Sequence, residues 1–262
     1  MAKIRALMYR EWQLVFKNLL IGGFSVISLL LLALLFYLSA QYGNLKEELN
    51  NDLDSQRIFA TFGYYFVYYM TAYIIIALAV PIQTYKSDIT ANWCRFELSL
   101  PVSPRDHALA HILGKTLRML GGWVMILAIT LILNLVADRS LNLDLITDVG
   151  IITVIVLLID LVTEFCYSSV KDSIGLKKAS MKLISILVTC GLVVGLLLSR
   201  INMPEMGTEA LVTPEEIAES PIIKQIAQFR SAVQPFVLPA IILLLILTYL
   251  TVKRGFKQQR LT

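Results

Sequence analysis

The chain has 262 residues, of which 57% are hydrophobic and only 16% are charged, and its mean hydropathy is +0.71. An average soluble domain carries about 25% charged residues, so this composition argues against a soluble protein. The formal net charge is +4, but the basic residues lie at the ends of apolar blocks and form no patch that would bind nucleic acid. The composition predicts an all-α polytopic membrane protein.

The apolar residues fall into six blocks, each close to the ~20 residues that cross about 30 Å of hydrocarbon. We therefore predict six transmembrane helices in a single transmembrane domain, residues 1–262. Their predicted bounds are about 19–40, 59–83, 117–136, 149–170, 183–199 and 236–252. The first block is longer than the apolar core of a signal peptide, so we expect it to stay as an anchor.

The segment before the first span, residues 1–18, has an amphipathic pattern. Its apolar face at helical spacing comprises Ile4, Met8, Trp12 and Val15, and Leu19 continues it. The opposite face carries Lys3, Arg10 and Lys17. A basic helix with an aromatic anchor is typical of the membrane interface, and a simple extension of the first span is the alternative.

The loop before the last span, residues 200–234, contains two helix-start signals. Thr213-Pro-Glu-Glu216 is a capping box, and Ser220-Pro221 places proline at a first helical position. These signals predict two short amphipathic helices on the outer side of the membrane.

Orientation follows from the distribution of lysine and arginine. Of the 23 such residues, 17 lie at residues 1–18, 84–118, 170–182 and 252–262, and six lie on the other side of the predicted spans. Because cytoplasmic segments carry the excess of positive charge, we predict a multi-pass protein of the cell (plasma) membrane with both termini cytoplasmic.

The polar segment 84–115 lies on this cytoplasmic side. It contains the bulky side chains Trp93 and Phe96, and two closely spaced prolines, Pro101 and Pro104. Because each proline lacks an N–H and disfavours helix in the residue before it, we predict a short surface helix, a break, and a second helix that begins at Arg105. A folded cytoplasmic element of this kind suggests a docking site for a partner.

Asp160 and Glu164 are anomalous because they lie on one face of the fourth predicted span. A carboxylate at the centre of a bilayer costs about 2.5–3.5 kcal/mol on insertion scales. A proton or cation relay, or a contact for a cationic substrate, would explain them functionally. Pairing with a basic residue such as Arg118, or a position nearer the interface, would explain them structurally.

The second predicted span is rich in tyrosine, and Tyr64 and Tyr68 are spaced at i, i+4. Such a stripe could line a path for an amphipathic substrate, together with Asp160 and Glu164. Packing against neighbouring helices is the alternative use of these side chains.

Two short patterns before the third span resemble ligand sites. Leu113-Gly-Lys-Thr116 resembles the end of a P-loop, but Leu109 stands where the motif needs its first glycine. His107 and His111 have the i, i+4 spacing of a metal pair, but the sequence offers no third ligand nearby. We therefore expect neither a nucleotide site nor a metal site here.

The layout and one stretch resemble the permease subunits of bacterial ABC type-2 exporters. The stretch is Leu98-Ser-Leu-Pro101-Val-Ser-Pro-Arg105 with Lys115 ten residues later, similar to the SLPxSR…K segment between the second and third spans of that family. It departs from the family pattern at Pro104 and in the DHALAH segment that follows.

This resemblance implies that 84–115 is a coupling helix that docks on a separate ABC ATPase subunit. The implied docking residues are Trp93, Arg95, Phe96, Glu97, Leu100, Pro101 and Arg105. It also implies pairing with a second permease copy or a paralogue in the lipid membrane. ATP and magnesium would bind the partner ATPase, and this chain would carry no cofactor and no catalytic residue.

The expected function is the transmembrane subunit of an ATP-driven exporter of amphipathic or hydrophobic cargo, such as a peptide, drug or lipid-like compound. Two alternatives belong to other classes. One is an intramembrane enzyme that uses Asp160 and Glu164. The other is a membrane sensor or immunity protein that transports nothing.

Overall fold

The structure is a computed structural model and describes residues 5–9, 12, 13, 16, 20, 23–29, 31, 32, 53–80, 102–136, 144–170, 173–199 and 221–261. It confirms the all-α class, since no strand occurs within these ranges. The five long helices are α1 (Leu53–Ala79), α2 (Pro104–Val136), α3 (Asp144–Tyr167), α4 (Ser173–Ser199) and α5 (Pro221–Leu261).

Three stretches of these helices are long and apolar enough to cross a membrane: Pro104–Ile132, Leu145–Tyr167 and Gln228–Gln259. They correspond to the third, fourth and sixth predicted spans. A shorter apolar stretch, Tyr65–Ala79, falls within the second. Large apolar side chains also cover the outward faces of α2 and α5, as expected where the surroundings are apolar.

The helices pack around α3, which contacts α1, α4 and α5, while α2 contacts α1 and α5. Contacts between helix ends define two ends of the bundle. At the first, which we call the His107 end, the ring of His107 in α2 stacks on Phe256 of α5. At the second, the Asp148 end, Asp148 of α3 binds Arg230 of α5. The main buried core lies between the two ends and includes Ala72, Ile76, Met119, Leu157 and Ile241.

The start of α2 is well specified by its sequence. Ser103 accepts a hydrogen bond at Oγ from the backbone N–H of Asp106 (3.1 Å), and Pro104 occupies the first helical position, where its missing N–H costs nothing. The predicted helix start at Arg105 is therefore correct to one residue. The helix then continues without a break to Val136, so α2 includes both the end of the polar segment 84–115 and the third predicted span.

The helix α5 differs from the prediction. The expected short helix at Pro221 and the last span form one continuous helix of 41 residues, with Pro235 and Pro239 in its interior. A helix interior tolerates proline where packing holds it and where an apolar environment makes every free backbone group expensive. The other predicted outer helix, at 213–216, lies outside the described residues.

Close contact between α3 and α5 depends on glycine. A Cβ at Gly255 would lie 2.6 Å from the carbonyl oxygen of Ser168, and one at Gly150 would lie 2.5 Å from Cγ1 of Val237. Small residues of this kind let helix backbones approach each other. Gln259, one turn beyond Gly255, donates from Nε2 to the carbonyl oxygens of Ser168 (2.9 Å) and Val170 (3.0 Å), and it therefore binds α5 to the turn that follows α3.

We expect Gly255→Ala to destabilise the protein by about 1–2 kcal/mol, because the new methyl group would press on backbone as well as side-chain atoms. Gly121→Ala is the matched control, since a Cβ there meets nothing within 4 Å and alanine favours helix by about 1 kcal/mol. Thermal unfolding in detergent compares the two. Equal stability of both variants would contradict the close approach of α5 to α3.

Candidate functional site

A cluster of four titratable side chains joins α2 to α3 near the His107 end. Lys115 Nζ donates hydrogen bonds to Asp160 Oδ2 (2.5 Å) and to Glu164 Oε1 (3.3 Å). His111 Nε2 lies 2.8 Å from the same Glu164 oxygen. We call these residues, His111, Lys115, Asp160 and Glu164, the ionic cluster.

Helix geometry brings the four side chains together. His111 and Lys115 are one turn apart on α2, and Asp160 and Glu164 are one turn apart on α3, so each pair shares one helix face. Because α2 and α3 are antiparallel, His111, the first residue of its pair, meets Glu164, the second residue of the other pair. Lys115 likewise meets Asp160. The described contacts between α2 and α3 are made by side chains, those of the ionic cluster here and those of Trp123 and Thr153 further along the two helices.

The cluster is buried inside segments long and apolar enough to cross a membrane. Lys115 and Asp160 are each 1% exposed, and Glu164 is 3% exposed. His111 is the most accessible member, with 12% of its side chain exposed. Buried ions of this kind are stable only when paired and hydrogen-bonded, and each carboxylate here has a cation within hydrogen-bond distance.

Lys115 is the basic residue that pairs with both Asp160 and Glu164, the two carboxylates that the sequence singled out. Arg118, the example named from the sequence, donates from Nε to the carbonyl oxygen of Ala79 in α1 (3.3 Å). Sequence reasoning placed Lys115 among the cytoplasmic charges. The signal that could have found it is the i, i+4 spacing of His111 and Lys115, which matches the spacing of the two acids.

The P-loop-like pattern and the first histidine of the pair take part in contacts between helices. Gly114 and Lys115 lie inside α2, and the lysine side chain is bound to two carboxylates rather than open to a phosphate. His107 stacks on Phe256 at 3.6 Å between ring centroids. No group of three potential metal ligands occurs in the part of the chain that the structure describes.

A second polar cluster lies at the Asp148 end and was not predicted. Arg230 Nε and Nη2 donate to the two carboxylate oxygens of Asp148, each at 2.8 Å. Tyr69 Oη donates to Asp148 Oδ2 (2.6 Å). We call Tyr69, Asp148 and Arg230 the outer triad. It joins α1, α3 and α5, and it lies about 18 Å along α3 from Asp160 by the helical rise.

Tyr68 takes part in helix packing. It is 2% exposed, and its hydroxyl donates to the carbonyl oxygen of Leu145 in α3 (2.9 Å). Trp123 of α2 similarly donates to Thr153 Oγ1 of α3 (3.1 Å). The side chain of Tyr64 lies outside the described residues, so the predicted tyrosine stripe is seen only in part.

Of the residues expected to dock an ATPase, only Arg105 is described, and its side chain is exposed in the first turn of α2. The others lie outside the described residues: Trp93, Arg95, Phe96, Glu97, Leu100 and Pro101. No protein-family model matches the chain, and no curated protein or solved structure is significantly similar to it.

Proposed function

We propose that the protein is the membrane-spanning subunit of an ATP-driven exporter, powered by a separate ATPase that docks on residues 84–115. The cargo is amphipathic or hydrophobic, in keeping with the apolar character of the bundle. Three features support the proposal. They are the resemblance of residues 98–115 to the ABC type-2 permease segment, the long apolar helices, and the position of the start of α2 relative to the docking segment.

One observation carries this proposal. The helix α2 begins at Pro104, within the proposed docking segment 84–115, with Arg105 exposed in its first turn, and it holds Lys115 about 15 Å further along its axis. Lys115 is bound to α3 through the ionic cluster. A force applied to the docking segment would therefore reach the buried interior through one rigid helix.

The enzyme alternative receives less support. An intramembrane hydrolase needs a carboxylate free to act on substrate, whereas Asp160 and Glu164 are both bound to Lys115. No specific contact of the described residues favours the sensor or immunity alternative.

The test compares two charge-reversed proteins. The full chain carrying a tag is purified from its native cells in mild detergent, and the co-purified ATPase is identified and assayed for ATP hydrolysis in proteoliposomes. We expect the wild type to retain an ATPase and the Trp93→Ala, Arg105→Glu double variant to lose most of it, because burial of the aromatic anchor and a charge pair both contribute to docking.

Arg254→Glu is the control, since Arg254 is also exposed and lies close to the stacked Phe256 at the same end of the bundle. It should retain the ATPase. If the wild type carries no ATPase, or if both reversals lose it equally, docking on residues 84–115 is wrong.

A further inference from the structure

Six exposed cations lie beside the turn that follows α3, residues 168–170, at the His107 end of the bundle. Three belong to the first turns of α4 and three to the last turns of α5. We call these six residues the basic face: Lys177, Lys178, Lys182, Lys253, Arg254 and Lys257.

Packing against the same turn brings the two groups of cations to one place. On α5, Gly255 lies against Ser168, and Gln259 donates to the carbonyl oxygens of Ser168 and Val170. On α4, Ala179 is buried together with Val170. Each of the six cations is within three residues of one of these contacts, so the basic face is a single surface built by two helices.

The basic face is not neutralised by the described part of the protein. Neither α4 nor α5 contains an aspartate or glutamate, and none of the six cations forms an ion pair with a described residue. Lys178 and Lys182 are spaced i, i+4, and so are Lys253 and Lys257. Like charges at this spacing destabilise a helix, so an anion bound from outside the chain would relieve repulsion on both helices.

An apolar strip of α3 begins beside the basic face. Lys182 Nζ lies 4.4 Å from the centroid of the Phe165 ring. Phe165, Leu158 and Ile155 share one face of α3, and each is more than half exposed. We call these three residues the apolar strip. It extends about 15 Å along the helix axis, which is half of the ~30 Å of hydrocarbon in a bilayer and therefore the depth of one leaflet.

The position of the cations favours a lipid over a soluble anion or an acidic protein. Lys253, Arg254 and Lys257 lie in the last turns of Gln228–Gln259, a stretch long and apolar enough to cross a membrane. Lys253 Nζ lies 5.8 Å from the centroid of the Tyr249 ring. Lysines and aromatic rings at the end of an apolar span are typical of the headgroup level of a bilayer. A phospholipid supplies both an anion at this level and an acyl chain for the strip.

We propose that the basic face binds the headgroup of an anionic phospholipid and that the acyl chain of this lipid lies along the apolar strip. The lipid belongs to the leaflet at the His107 end. This inference goes beyond the proposed function, because it concerns the membrane around the chain and neither the cargo nor the ATPase.

The test measures the binding of added lipid to the purified full chain in a neutral detergent by native mass spectrometry. The probes are phosphatidylglycerol, phosphatidylcholine with the same acyl chains, and glycerol phosphate, which is an anion without an acyl chain. Each lysine or arginine near an anionic headgroup strengthens binding by about fivefold. We therefore expect phosphatidylglycerol to bind more than about tenfold more tightly than either of the other two probes.

Charge-neutralised variants locate the site. Lys178→Gln combined with Lys182→Gln should weaken phosphatidylglycerol binding by about 25-fold and leave phosphatidylcholine binding unchanged. Arg5→Gln combined with Arg105→Gln is the matched control, since it removes the same charge from exposed positions at the same end of the bundle. It should keep the wild-type affinity. Phe165→Ala should also weaken phosphatidylglycerol binding, because the ring begins the apolar strip.

Thermal unfolding in lipid-free detergent shows whether the lysine variant is folded. It should be at least as stable as the wild type, because it removes a like-charge pair. Three results would overturn the proposal. Equal affinity for the two lipids would show that headgroup charge is not recognised. Equal weakening by the two double variants would assign the effect to net charge alone. Glycerol phosphate binding as tightly as phosphatidylglycerol would make this a site for a soluble anion.

Discussion

Replacing Lys115 with methionine is expected to destabilise the protein by about 3–5 kcal/mol, the usual effect of removing one partner from a buried ion pair. Methionine keeps most of the side-chain volume, so the loss reports charge rather than a cavity. Asp160 would then lose the ammonium group that binds it, and Glu164 would lose one of its hydrogen-bond partners. SDS titration of the purified protein in mixed micelles measures the change in the free energy of unfolding.

The double variant Lys115→Met, Asp160→Asn should be more stable than Lys115→Met alone, because it also removes the unpaired carboxylate. This recovery is the coupling energy of a double-mutant cycle. Lys177→Met is the control, since Lys177 is exposed on α4, and it should change stability by less than about 0.5 kcal/mol. A Lys115→Met protein as stable as this control would show that the buried pair does not exist.

Asp148→Ala should have the second largest effect, a loss of about 2 kcal/mol. Asp148 accepts both hydrogen bonds from Arg230 and one from Tyr69, and hydrogen bonds to charged groups contribute about 1.5–3 kcal/mol. The Arg230 side chain is 23% exposed, so water partly replaces the lost carboxylate and reduces the effect. Thermal unfolding in detergent is a suitable measurement.

Two further variants separate the contributions to the outer triad. Tyr69→Phe removes one hydroxyl and leaves the ion pair intact, so it should cost only about 0.5–1.5 kcal/mol. Asp148→Ala combined with Arg230→Met should recover part of the loss, because the double variant also removes the guanidinium that has lost its carboxylate partner. If Tyr69→Phe is as damaging as Asp148→Ala, the ion pair contributes nothing and the triad is mainly a tyrosine contact.

The two polar clusters lie at different ends of α3 and hold it to different neighbours. The ionic cluster binds it to α2, and the outer triad binds it to α1 and α5. A motion that opens one cluster need not open the other, because the partner helices differ. In the proposed exporter, α3 would therefore be the element around which α2 moves when the docking segment is pushed.

Several features could be predicted from the sequence because their causes are local. Hydrophobic content and block length determine the all-α class and the presence of three helices long and apolar enough to cross a membrane. The start of α2 lies within one residue of the position predicted from Pro101 and Pro104, because the effect of a proline on the backbone is local. Asp160 and Glu164 could be singled out from the sequence because a carboxylate within an apolar block is energetically costly, whatever its partner is.

The tertiary structure alone decided which side chains meet. Lys115 and Asp160 are 45 residues apart in the chain, and Arg230 and Asp148 are 82 apart, so only the packing of whole helices brings them within hydrogen-bond distance. The same holds for Pro235, where local rules predict a break but packing in an apolar environment keeps the helix intact. Composition and spacing thus determine which helices form, whereas the pairing of buried charges depends on how those helices pack.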